Sequence, residues 1–235
     1  MSEVDNTPVS VDTPGAADAL ETVDELDTPT RVLSIDMGVI NFCFCIMDFT
    51  EDDFELVHIE KVSIGKMKQT AHVLSTALVD FLRSSEVINE KPINYIFIEN
   101  QMSKAIKNTI LAYTTSTYFY TESEISQSDV YIQFVQPRMK FNAIDAYFPG
   151  VIESQEMICR TNSKDLKKLS IKIARDCFTD LNITKGLEAM NKYKPKLDDV
   201  ADVFLQSFAL FLEKYSNGNK NVAGNPIRSK KRRRG

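Results

Sequence analysis

The stretch from Arg31 to Phe49, RVLSIDMGVINFCFCIMDF, decides the reading of this chain. RVLSI is an apolar run of strand length ending in an acid, IDMGVIN turns tightly around Gly38, and FCFCIMDF is a second strand. TEDD is a turn signal, after which FELVHIEKVSI reads as a third strand. Strands joined this closely are antiparallel neighbours. Downstream the period changes. From Lys68 to about Ser85, Val73, Leu74, Ala77, Leu78, Phe81 and Leu82 fall on one side of a helix. INYIFIE, 93 to 99, reads as a central strand, SKAIKNTILAYTTSTYFYTES as a helix, and VYIQFVQP as a strand ended by Pro137. A polar, irregular section runs from about Arg138 to Asn162. SKDLKKLSIKIARDCF, 163 to 178, opens with a cap signal and continues as an amphipathic helix, and a last helix begins at KLDDVADVF. Three strands, then helix, strand, helix, strand, helix, helix predict an α/β fold with a mixed five-stranded sheet flanked by helices.

At 235 residues and 43% hydrophobic content, the chain can build one ordinary core. Its net charge of -5 conceals a segregation, with eight acids and no Lys or Arg in residues 1–30 and six basic residues in RSKKRRR, 228–234. The expected organisation is an acidic disordered arm, 1–30, a folded domain, 31–216, and a flexible basic tail, 217–235. The arm lacks the basic start and apolar block of a signal peptide, and no run approaches the roughly 18 apolar residues of a membrane span. Membrane partners are therefore not expected. The four cysteines, Cys43, Cys45, Cys159 and Cys177, form no CxxC pair and read as buried thiols of a reducing compartment. His58 and His72 show no ligand spacing, and neither a P-loop nor G-x-S-x-G occurs, so no small-molecule cofactor is expected.

Carboxylates stand where a core protein has little reason to put them. The last helix opens with Asp198, Asp199 and Asp202, more charge than capping requires, and Asp199 and Asp202 share a face. Asp36 ends the strand VLSI and Glu99 ends YIFI. Taken singly, Asp36 could be a turn former, Glu99 half of a surface ion pair, and the aspartates helix-start acids. If both strands are central and parallel, their ends open onto the edge where α/β sheets place ligands, and the four acids need a hard divalent cation to converge there.

IDMGVIN resembles the D-x-G-x-x-N first-strand motif of RuvC-like Holliday junction resolvases, IENQ their strand-end I-E-x-Q, and KLDDVADVF their K-x-D-D-x-A-D final helix. The resemblance runs from about residue 31 to 215 and is strongest to resolvases of poxviruses and other large DNA viruses, with mitochondrial cruciform-cutting endonucleases close behind. It implies an RNase H-like fold with strand order 3-2-1-4-5. It also implies a homodimer that nicks opposing strands of four-way or branched DNA, with two Mg²⁺ ions per active site and Mn²⁺ able to substitute. Carried over by position, Asp36, Glu99, Asp199 and Asp202 would be the catalytic metal ligands, with Asp198 assisting or capping. A lysine near the start of the penultimate helix would stabilise charge on the scissile phosphate. Lys168 is preferred to Lys167, with Lys140 a third candidate.

Phosphate contacts are expected from Lys104, Lys107, Arg138, Lys140 and Lys167. Tyr113, Tyr118 and Tyr120 could stack on opened bases or pack internally. SKKRRR is either a nuclear import signal or a DNA-binding extension. The expected location is intracellular, in the nucleus or at a cytoplasmic viral replication site. Two other readings stay open: an RNase H-like nuclease acting on an RNA:DNA hybrid or a flap, and a junction-binding protein without activity.

Overall fold

The computed structural model describes residues 29–51, 53–101, 105–137, 140–141 and 163–218. Residues 1–28 of the predicted arm, most of the irregular section, Cys159 and residues 219–235 of the basic tail lie outside them. Strands β1 (Thr30–Asp36), β2 (Phe42–Phe49) and β3 (Phe54–Val62) form an antiparallel meander. Next come α1 (Ala71–Ser84), α2 (Glu86–Asn89), β4 (Tyr95–Glu99), α3 (Ile106–Ser126) and β5 (Tyr131–Val135). Helices α4 (Ser163–Asp180), α5 (Thr184–Lys192) and α6 (Asp198–Gly218) follow. β4 pairs with β1 and β5 with β4, both parallel, giving the order β3-β2-β1-β4-β5. This is the mixed sheet of an RNase H-like α/β fold.

Side-chain alternation along each strand divides the core in two. Leu33, Ile35, Phe42, Phe44, Ile96 and Ile98 pack with α1 and α3 on one face. Val32, Cys43, Cys45, Phe97 and Val135 pack with α4, α5 and α6 on the other. Helix α6 anchors that second face through stacked aromatics. Phe204 lies with its ring centroid 4.4 Å from Phe178 and 5.4 Å from Phe208, and Phe211 stacks on Phe49 at 4.7 Å.

A polar contact sets α6 against β1. The Ser207 hydroxyl donates to the Ser34 hydroxyl at 2.7 Å, with both residues fully buried. The bond lies one strand repeat before Asp36 and little more than a helical turn after Asp202, so it holds together the two elements that carry acids. Ser207→Ala leaves Ser34 buried without this partner and is expected to lower stability by about 1–2 kcal/mol in urea unfolding.

The α2 and α5 segments were not expected from the sequence. TKGLEAMNK carries a glycine at its third position that argues against a helix locally. In the fold Gly186 is buried against Phe178, and a Cβ there would stand 2.4 Å from the ring. Tertiary packing thus favours the glycine that local propensity disfavours.

Candidate active site

β1 and β4 run parallel with Ile35 opposite Ile98, so their next residues, Asp36 and Glu99, end side by side. Alternation decides which way they point. Val32 and Phe97 face α6, so Asp36 and Glu99, four and two residues on, share that face. The first turns of α6 lie over it. Asp36, Glu99 and Asp202 each offer a carboxylate oxygen, and these oxygens lie within 4.8 Å of one another.

The cluster strains its own protonation. Burial pushes the Asp36 carboxyl well above the usual range, and the charges of Glu99, Asp202 and Asp199 push it further, against Lys140. Glu99 is pushed up to about 6 by burial, with Lys140 opposing and Asp202 and Asp199 adding to the rise. Asp199 belongs to the neighbourhood but not to the trio. Burial and Asp198 raise its pKa, while Lys196 and Lys61 oppose the shift. The Lys61 ammonium stands 3.4 Å from one Asp199 oxygen, Lys196 stands 3.6 Å from the other, and Lys61 also donates to the Lys196 carbonyl at 2.8 Å.

Lys61 is a contributor that the sequence reading passed over. It is opposite Cys43, which in turn is opposite Asp36, so the three form a row across the sheet. Only register between strands reveals that row. Asp198 turns away to bond Lys167; burial raises its pKa, but that hydrogen bond and the Lys167 charge outweigh burial and lower it.

The lysines are distributed unevenly. Lys140, 6% exposed, places its ammonium 2.7 Å from Asp202 Oδ1. Lys167 reaches Asp198, whereas Lys168, 81% exposed, pairs at 3.7 Å with Asp165 on its own helix. Lys168 thus projects from the solvent side of α4, away from the acids that Lys140 and Lys167 reach. Lys107 donates to the carbonyls of Met67 and Gln69, the latter at 2.6 Å, and ties α3 to the segment before α1. Lys104 and Arg138 lie outside the described residues. Tyr113 and Tyr120 are exposed, with Tyr113 5.1 Å from Phe134 between ring centroids, whereas Tyr118 packs partly into the core.

The donor set fits a hard divalent cation. All three converging donors are carboxylates, the ligand class preferred by Mg²⁺ and Mn²⁺. Asp202 Oδ1 is buried and, among the described residues, has the Lys140 ammonium beside it as an ion-pair partner but accepts no hydrogen bond.

No protein-family model matches the chain, and no curated protein matches its sequence. Solved structures do. The Thermus thermophilus RuvC bound to a Holliday junction substrate matches with a TM-score of 0.51 at 12% identity, over 81% of this chain and 97% of that one. The chain has the fold of the RuvC-like resolvases. The yeast mitochondrial Holliday junction resolvase Ydc2 matches with a TM-score of 0.50 at 17% identity, over 81% of this chain and 83% of that one. The fowlpox virus Holliday junction resolvase is similar over 80% of this chain and 99% of that one, at 19% identity and a TM-score of 0.46. At these identities the likeness is one of fold. Within this RuvC-like fold, the acids lie at the C-terminal ends of the parallel strands β1 and β4, under the start of α6.

Proposed function

We propose that this chain is a structure-selective endonuclease that resolves four-way and branched DNA by metal-dependent phosphodiester hydrolysis, in recombination or in processing viral genome concatemers. The observation that carries this reading is the convergence of Asp36, Glu99 and Asp202 at one sheet edge in a RuvC-like fold. These residues would hold Mg²⁺ or Mn²⁺, two ions per site in the full reading, with Asp199 as the flanking fourth carboxylate. A divalent ion bound there supplies an acidified water and neutralises charge on the departing oxygen. Asp36 and Glu99, at the ends of paired strands, keep the donors fixed relative to each other. Lys140 is the ammonium paired with the converging acids, and the partly exposed Lys196 and Lys167 flank it toward solvent, where a phosphate would lie.

The domain reading, 31–216 as nuclease between an acidic arm and a basic tail, belongs to the same proposal, as does a nuclear or viral-factory location. Among the described residues no helix is long and apolar enough to cross a membrane. A homodimer suits a junction, whose strands come in symmetric pairs. Ile106, Ile110, Tyr113 and Tyr120 are exposed at helical spacing on α3 and support an apolar pairing surface.

The test is purified protein with labelled four-way junction, flap, RNA:DNA hybrid and linear duplex, each in Mg²⁺ and in EDTA. Paired, symmetric nicks in the junction, absent in EDTA, are expected. Preferential cutting of the hybrid or the flap would reassign the substrate, and junction binding without nicks in either Mg²⁺ or Mn²⁺ would remove the enzymatic reading.

A further inference from the structure

Lys140 is the least solvated ammonium near the acids, and its position raises a question that phosphate binding does not answer. A lysine meant only for a DNA backbone would be expected to keep its charge toward solvent, as Lys168 does. Lys140 is instead buried, with its ammonium 2.7 Å from Asp202 and close enough to oppose the raised pKa of both Asp36 and Glu99. Its carrier segment follows β5, whose C-terminal end lies beside that of β4, with Glu99 opposite Val135. The neighbouring Phe141 ring, 5.6 Å from the ammonium, backs it from the chain side. Three carboxylates this close repel one another unless a cation stands among them, and Lys140 supplies one from the chain itself.

We propose that the Lys140 ammonium is a resident counter-cation of the Asp36–Glu99–Asp202 cluster, and that a divalent ion binds by displacing it. This inference rests on the metal-site reading above and adds to it a competition within the chain. Lys140 keeps the acids assembled before metal arrives, at the expense of metal affinity. Once displaced, its charge is free to meet a phosphate, so metal loading and substrate contact are linked through one side chain.

The first test is calorimetric titration of Mn²⁺ into DNA-free protein. Lys140→Met should bind Mn²⁺ at least about tenfold more tightly than the natural chain, a gain of about 1.4 kcal/mol. Lys140→Arg keeps the competing charge and should bind no more tightly than the natural chain. Equal or weaker binding by Lys140→Met, while the natural chain binds, overturns the displacement and leaves the metal site standing. Absence of Mn²⁺ binding to both proteins overturns the metal reading and the competition with it. A second measurement needs no variant. Brief acetylation of the natural chain, quantified at Lys140 by mass spectrometry, should rise several-fold when Mg²⁺ is added, because displacement exposes the amine. Unchanged or reduced labelling with Mg²⁺ bound overturns the proposal.

Discussion

Asp36→Asn and Asp202→Asn should each lower the rate of junction nicking by about a thousandfold or more, equivalent to about 4 kcal/mol in the barrier. Each removes one of the three oxygens that meet at the sheet edge. Junction binding, measured in EDTA by gel shift, should be unchanged or tighter, since less negative charge then faces the phosphates. The two variants should differ in stability. The Asp36 carboxyl is buried among like charges, so a neutral amide relieves repulsion and should raise the metal-free unfolding midpoint. Asp202 is the ion-pair partner of buried Lys140, and its loss leaves that ammonium less compensated, so the midpoint should fall. Nicking that survives Asp36→Asn with a normal midpoint would sink the active-site assignment. Parallel loss of nicking, binding and folding in both variants would mean that the acids are structural.

The strand-end acids and the acidic start of α6 were legible because each is marked by a break in periodicity: an apolar run ending in Asp36 or Glu99, and an apolar helix opening with charge. Period-2 alternation, together with parallel pairing of β1 and β4, then carries Asp36 and Glu99 to the same face. The order of the sheet followed from resemblance and agrees with the observed topology. The cationic half of the site was less legible. Lys61 reaches Asp199 only because β3 pairs with β2 in one register, a non-local fact. Lys140 follows a strand in a section without period, so no pattern distinguishes it from Lys168, which stands on an evident amphipathic helix. Basic residues on such a helix tend toward solvent, and this is where Lys168 lies. α5 escaped notice because Gly186 answers to Phe178 rather than to helix propensity.

Between about pH 4.5 and pH 6, the metal-free chain should lose stability as pH rises. The ordinary Glu99 value is 4.5 and the folded value about 6, so the native state holds a proton that the unfolded chain has released. Folding is therefore favoured on the acid side, and the deficit is complete above the folded pKa. For Glu99 alone the loss is about 2 kcal/mol. The raised Asp36 and Asp199 act in the same direction, whereas Asp198, lowered beside Lys167, acts in the opposite direction only below its ordinary value of 3.8, outside this window. The raised pKa of Lys167 bears only on alkaline pH, outside this window. Urea unfolding of the natural chain and of Glu99→Gln in EDTA isolates the group. The variant should match the natural chain near pH 4.5 and exceed it by about 2 kcal/mol at pH 7.5. A constant difference across that range would mean that Glu99 titrates normally. Added Mg²⁺ should reverse the slope for the natural chain alone, because the cation binds the ionised carboxylates and competes with the same protons. The repulsion that destabilises the empty cluster at neutral pH is then the source of its affinity for a cation, so stability without metal and binding of metal should change in opposite directions at this site.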